Sequence, residues 1–154
     1  SSDVCSSDLS LREGLIFLFD YGVTRREYYA PDRNDGWLRC YFRHHAHNDP
    51  LILPGIQDLT TSVDFSALAS AAADAGADVA GFVSQAHFLL NGGLQEELAD
   101  FTSLPLEEQL ELSRQAKLLT LPAEMGENIK CIGLSRGNFM PPPAFHEFDR
   151  AHAL

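Results

Sequence analysis

The stretch Gly14-Leu-Ile-Phe-Leu-Phe-Asp20-Tyr21-Gly22 decides how the rest of this chain is read. Its apolar run predicts a strand over Leu15–Tyr21, covered on both faces, because parallel strands buried between helices lose the polar alternation. The run ends in an acid and a glycine. Open α/β sheets bind their ligands beyond the carboxyl ends of the strands, so Asp20, Tyr21 and Gly22 stand where chemistry is expected. A polar stretch crowded with His, Asp, Arg and aromatic residues follows, from Gly22 to Thr60. So long a connection without an obvious helix is uncommon in a compact domain unless it carries function.

Beyond this connection the chain alternates helices and strands. Within the connection, Trp37–Arg43 alternates as a strand does, with Leu38, Cys40 and Phe42 on one side and Trp37, Arg39, Tyr41 and Arg43 on the other. Leu51–Pro54 and Gly55 make a turn. Asp64 is placed to cap a helix carrying Phe65, Leu68, Ala69 and Ala72 inward, and Gly76 suits its end. Asp78–Ser84 reads as a short strand, and Gln85–Phe101 as helix broken at Asn91-Gly92-Gly93. A further helix runs from Pro105 to about Leu119, with Leu106 and Leu110 inward and Glu111–Arg114 outward. Ile129–Ser135 is a last strand, Pro141-Pro-Pro143 ends regular structure, and 149–154 is expected to be a loose tail. Strands alternating with helices mean α/β, and the last two strands suit an antiparallel hairpin at the edge of a parallel sheet.

The first residues are set apart. Ser1-Ser-Asp-Val-Cys-Ser-Ser-Asp-Leu9 resembles one reading frame of a DNA sequencing adapter, and 1–9 is left out of the fold reasoning as a non-native segment. Of the 154 residues about 145 remain, enough for one domain or the larger part of one. The net charge of −11 falls to −9 without Asp3 and Asp8, since 22 − 2 acids then face 11 bases. That balance argues against nucleic acid, whose backbone needs clustered Lys and Arg. Cys40 and Cys131 are too few for a disulfide framework and not spaced for zinc, which points to a reducing compartment. No apolar run approaches the ~18 residues of a membrane span.

Three groups of residues invite a chemical reading. His44, His45, His47 and Asp49 suggest a metal, but neighbours in an extended chain point to opposite faces, so the run offers two ligands where zinc needs three or four. No metal site is expected. Gly133-Leu-Ser135-Arg-Gly137 matches the nucleophile elbow of α/β-hydrolases, yet Asn138-Phe-Met-Pro-Pro-Pro143 forbids the helix that must follow, and only Asp149 and His152 lie downstream as partners. No glycine-rich phosphate loop is present. Asp20, Asp58 and Asp64 are the acids to watch, with helix capping and a turn as the plainer roles of Asp64 and Asp58.

Taken together, Phe19-Asp20-Tyr21-Gly22, Glu27-Tyr28-Tyr29, Arg43-His44-His45-Ala46-His47-Asn48-Asp49-Pro50, Pro54-Gly55-Ile56-Gln57-Asp58-Leu59-Thr60, Val63-Asp64-Phe65, Gln85-Ala86-His87-Phe88-Leu89 and Met125-Gly126-Glu127 resemble the C-terminal half of the MidA family. The resemblance spans 10–148. It implies an S-adenosyl-L-methionine-dependent methyltransferase with a Rossmann-like class I fold, of which this chain holds strands five, six and an antiparallel seventh. By position these would be Leu15–Tyr21, Asp78–Ser84 and Ile129–Ser135. It implies methylation of a protein arginine, with a respiratory complex I subunit as substrate of the mitochondrial members. The setting is then the matrix for eukaryotic relatives and the cytoplasm for prokaryotic ones. The glycine-rich cofactor loop and the acid for the cofactor ribose belong to the half that is missing. S-adenosyl-L-methionine is therefore the cofactor of the parent protein, and this chain is expected neither to bind it nor to turn over. Asp20, His47 and Asp58 are the candidate wall of the substrate site, with Tyr21, Gly22, Asp64 and Gln85 as substrate-binding neighbours. Two other classes stay open: a hydrolase using Ser135 or a His-bound metal, and an assembly module that docks a partner through 22–60 without catalysis.

Overall fold

The structure is a computed structural model that describes residues 12–32, 36–43 and 45–154. The segment 1–9 and His44 therefore lie outside the described residues. The apolar run forms β1, Gly14–Val23, and the final apolar run forms β7, Ile129–Arg136. These two pair antiparallel over their length, from Gly14 opposite Arg136 to Tyr21 opposite Ile129. On its other side β7 pairs, again antiparallel, with β6, Asp78–Ser84. The last strand thus runs through the middle of the sheet rather than along its edge. Its burial explains why: seven of its eight residues are buried, which only a central strand achieves. A short strand β5, Val63–Asp64, adds parallel to β1 at Gly22 and Val23, giving the order β5-β1-β7-β6. The fold is mixed α/β.

Strand alternation divides the core in two. On one face Ile16 and Leu18 pack with Ile132, Leu134, Phe82, Phe65 and Ala72. Phe65 and Ala72 belong to a helix α2, Phe65–Asp74, whose cap Asp64 accepts a 3.0 Å hydrogen bond from Ala67 N. That helix ends at Gly76, which takes φ +78° where a side chain would be strained. On the opposite face Val83, Cys131 and Phe145 form a second cluster. Gly81 and Gly133 make it possible: a Cβ on either would run into the Phe145 ring, so two adjacent strands leave a flat floor for it. Phe17 and Phe19 belong to this face and meet Phe88 at ring distances of 5.6 and 4.9 Å.

Three expectations are corrected. β1 is not covered on both faces, since Phe17, Phe19 and Tyr21 are each 40–45% exposed. Among the described residues the side chains that reach their face are those of a helix α3, Gln85–Asn91, and of a turn at Pro143–Phe145, and they cover it in part. Leu106 and Leu110 point outward on the helix α5, Leu106–Thr120, which follows a single turn α4, Leu94–Glu97. The half-buried side is carried by Leu112, Ala116 and Leu119, because the helix is held by its C-terminal half, where Gln85 donates to Leu119 O. The segment 149–154 is docked, not loose. Asp149 accepts from Phe82 N at 2.8 Å, Arg150 N donates to Phe82 O at 2.7 Å, and Ala151 and Leu154 pack on the core.

The long connection has structure of its own. A single helical turn α1, Arg25–Tyr28, follows β1. Then β2 (Arg39–Phe42), β3 (His45–His47) and β4 (Asp58–Thr60) form a small antiparallel sheet in the order β3-β2-β4.

Candidate functional site

The carboxyl end of β1 faces the small sheet across a cavity of about 450 Å³. Tyr21 lines it from β1, Trp37, Arg39 and Tyr41 from the approach to β2 and the strand itself, and Thr60, Thr61 and Ser62 from the stretch joining β4 to β5. Trp37 is pinned from behind: its ring Nε1 donates to Tyr28 O at 2.8 Å and its ring stacks on Tyr28 at 5.3 Å. Arg39 Nη1 donates to Asn48 Oδ1 at 3.2 Å and to Leu38 O at 3.1 Å. The alternation seen over 37–43 puts Trp37, Arg39 and Tyr41 on one side, and that side is the one turned to the cavity.

Cross-strand partners share a face of a sheet, so the register sorts the candidates. Asp58 lies opposite Tyr41 and Thr60 opposite Arg39, all on the cavity face. His47 lies opposite Cys40, one step out of phase, hence on the other face. The structure therefore brings Asp58 to the cavity side and places His47 behind it. Both ring nitrogens of His47 are buried without a hydrogen-bond partner among the described residues, as is Gln57 Oε1. Asp20 is exposed at the end of β1, where its carboxylate accepts from Tyr21 N at 2.7 Å. Lys130 faces it across the strand pair, but its ammonium goes to Glu127 at 2.8 Å.

The remaining candidates have architectural roles. Gly22 is buried at the β1–β5 junction, where a Cβ would meet the Phe65 ring and Val63 O at 2.5 Å. Asp64 caps α2 and sits 3.6 Å from Arg25 Nε. Gln85 is buried with its amide committed to Leu119. Behind the site Glu27 joins α1 to the C-terminal segment. It accepts from Thr24 N and Thr24 Oγ1, each at 3.0 Å, and lies 3.6 Å from Arg150, which also reaches Glu127. Burial pushes the Glu27 pKa up, but the Thr24 hydrogen bonds with Arg150 and Lys130 outweigh it, so the net shift is downward.

The hydrolase constellation does not assemble. Ser135 is buried within β7 with its hydroxyl toward Asp78 O, and the Asp149 carboxylate receives Phe82 N and Ala151 N. Among the described residues no three His, Cys, Asp or Glu side chains converge as metal ligands. Nor do the described residues form a dinucleotide-type cradle. The chain enters its helices after β1, β5 and β6 through Thr24, Asp64 and Ser84, which use their side chains at the helix start, and none of these turns is glycine-rich. The described turns therefore do not supply the glycine-rich cradle that the resemblance assigns to the adenosyl cofactor.

Sequence reasoning missed Trp37, Arg39, Tyr41 and 60–62 as site residues. Their signal was the alternation over 37–43, read for strand and not followed to what its polar side would face.

Comparison with known proteins places this geometry. A crystal structure of an uncharacterised protein from Burkholderia thailandensis superposes with TM-score 0.93 at 41% identity, covering 99% of this chain and 41% of that one. A second Burkholderia thailandensis structure, bound to S-adenosyl-homocysteine, superposes with TM-score 0.90 at 39% identity, over 99% and 40% of the two chains. The mitochondrial protein arginine methyltransferase NDUFAF7 homologue of Drosophila melanogaster is 30% identical over 126 residues, 80% of this chain and 27% of that protein. The chain thus spans about two fifths of these solved relatives and about a quarter of the curated one. A family model described as "Putative S-adenosyl-L-methionine-dependent methyltransferase" matches residues 6–83, half of the chain, and the chain belongs to that family.

Proposed function

We propose that this chain forms the acceptor side of a protein arginine N-methyltransferase of the MidA kind, with 10–148 as the C-terminal portion of its methyltransferase domain. In this reading β1, β6 and β7 are the fifth, sixth and antiparallel seventh strands of a class I sheet. The observation that carries it is the cavity at the carboxyl end of β1, walled by Tyr21, Trp37 and Tyr41, with Asp58 opposite Tyr41 on the same face of the small sheet; Asp20 precedes Tyr21 on the alternate face of β1 and would have to approach from the strand end. A guanidinium is planar and cationic. Ring faces attract it, and carboxylates grip it bidentately, which fixes one nitrogen in direction. Fixing the nucleophile is the larger part of what a displacement at a methyl group asks of a protein. Asp20 and Asp58 are also the groups able to take the proton that the nitrogen must lose. The likeness to the Drosophila protein arginine methyltransferase homologue supports arginine as the acceptor.

The cofactor is S-adenosyl-L-methionine, held by residues other than those described here, so these 154 residues alone do not bind it. Protein substrates carrying a target arginine are the partners. For mitochondrial relatives a respiratory complex I subunit in the matrix is the substrate, and for prokaryotic ones the setting is the cytoplasm.

Two measurements test the proposal. Calorimetric titration of this chain with S-adenosyl-L-methionine should give no binding heat, and micromolar affinity would refute the placement of the cofactor site. In the Burkholderia thailandensis relative that binds S-adenosyl-homocysteine, Asn at the positions aligned with Asp20 and Asp58 should cut arginine methylation about 100-fold or more, read by mass spectrometry. Methylation on another residue type, or unchanged rates, would remove arginine or the two acids from the reading.

A further inference from the structure

The lining of the cavity carries one cation, while Asp58 stands outside the lining on the same face of the small sheet. Of the lining side chains Arg39 alone is charged, and among the described residues no carboxylate lies within ion-pair distance of it. Its two hydrogen bonds both leave from Nη1, so Nε and Nη2 are uncommitted among the described residues. Three hydroxyls, of Thr60, Thr61 and Ser62, line the same space and have no hydrogen-bond partner among those residues. Thr60 lies directly across the strand pair from Arg39. A guanidinium fork with hydroxyl donors beside it is the chemistry of a carboxylate site. In a chain of net charge −11 an arginine left without an acid is the more telling.

Position along the sheet adds a second element. Tyr41 and Arg39 are two residues apart on β2, and opposite them stand Asp58 and Thr60. The face therefore presents an anionic place and a cationic place one strand repeat apart. A polypeptide with a basic and a nearby acidic side chain is the complement of this pattern. We propose that Arg39, with Thr60, is a specificity determinant that receives an acidic side chain of the substrate polypeptide close to the target residue. The inference rests on the reading of the acceptor as a polypeptide arginine, and its test keeps the two apart.

Trp37 is the sole tryptophan of the chain and lines the cavity, so its fluorescence reports occupancy directly. The probes are the blocked peptides Gly-Arg-Gly-Glu-Gly, the same with Gln for Glu, and the same with Lys for Arg, titrated into the full 154-residue chain. The Glu peptide should give a saturable change, and the Gln peptide should bind about tenfold more weakly, the value of a charge-assisted hydrogen-bond pair. Arg39→Gln should erase the Glu-over-Gln preference while circular dichroism stays unchanged. Arg39→Lys, which keeps the charge without the fork, should retain part of it, and Thr60→Ala should weaken the Glu peptide about threefold. Equal binding of the Glu and Gln peptides, or a preference that survives both Arg39 variants, would overturn the proposal. So would competition by S-adenosyl-homocysteine, which would assign the carboxylate to the cofactor. If the Lys peptide binds as well as the Arg peptide yet keeps the Glu preference, the Arg39 site stands and the arginine reading falls.

Discussion

The two sheets of this molecule are held together in different ways. In the four-stranded sheet β7 is buried along nearly its whole length and each face carries its own apolar cluster. In the three-stranded sheet Cys40 is the one buried residue of β2, β3 and β4, while Tyr41, Leu59 and Asp58 are exposed. Burial of apolar area is what stabilises a domain, so the first sheet carries the stability. The second holds an aromatic and polar face in place with little of its own to hold it, and low local stability is usual for ligand-binding elements. Stability and recognition thus fall on different strands, joined at the carboxyl end of β1.

The sharpest way to break this contrast is truncation. Phe145→Ala should cost about 3–5 kcal/mol in urea unfolding, whereas Tyr41→Ala should stay within about 0.5 kcal/mol. Similar costs at both places would mean that the small sheet is part of the core. The two buried thiols give a second comparison. Burial pushes Cys131 up to about 12, so at pH 8 it should react with a disulfide reagent only when the main sheet opens. Cys40 should be labelled roughly 100-fold faster through local opening of the small sheet. Comparable rates would show one cooperative unit. Gly133→Ala pushes a methyl group to 2.7 Å from the Phe145 ring and should cost about 1–3 kcal/mol, read as a lower urea midpoint. Asp64→Ala, which removes the cap of α2 beside β5, should cost about 1 kcal/mol.

The smallest effect belongs to Glu27, at the seam between the two regions. Its folded pKa is below the 4.5 of the free group, so its contribution is full above that value and is lost as pH falls through the lowered one. The side chain is 47% exposed, so screening keeps the contribution below about 1 kcal/mol. Glu27→Gln should lower Tm at neutral pH, and the difference should close as the solution is acidified toward pH 3. A difference that grows on acidification would reverse the sign assigned here.

How far the sequence could be read follows the same division. β1, β6, β7 and α2 announce themselves through apolar runs, the Asp64 cap and Gly76, because local pattern and tertiary burial agree there. The antiparallel hairpin of the last two strands at the sheet edge was legible, but that β7 is its inner member, paired to β1, is not local information. On α5 the periodicity was present, yet Leu106 and Leu110 turned outward because the packing partners meet only its C-terminal half. In the small sheet the alternation was legible but the register was not. That register, which sends Asp58 and His47 to opposite faces, depends on pairing across turns whose lengths no pattern fixes. Arg39 was invisible as a site residue for a related reason: its meaning lies in having no ion-pair partner among the described residues, which only the packing reveals.

The central place of β7 has a consequence for how the chain is made. Gly14 pairs with Arg136, and every rung of that ladder joins residues more than a hundred apart in sequence. Such contacts close large loops before they return any stability, which slows folding. During synthesis β1 and β6 must wait, unpaired with each other, until 129–136 has left the ribosome and β7 slides between them. For that interval the Phe17 and Phe19 side chains and two strand edges stand open to other chains. Translation speed and chaperone supply, more than equilibrium stability, should then set the yield of folded protein.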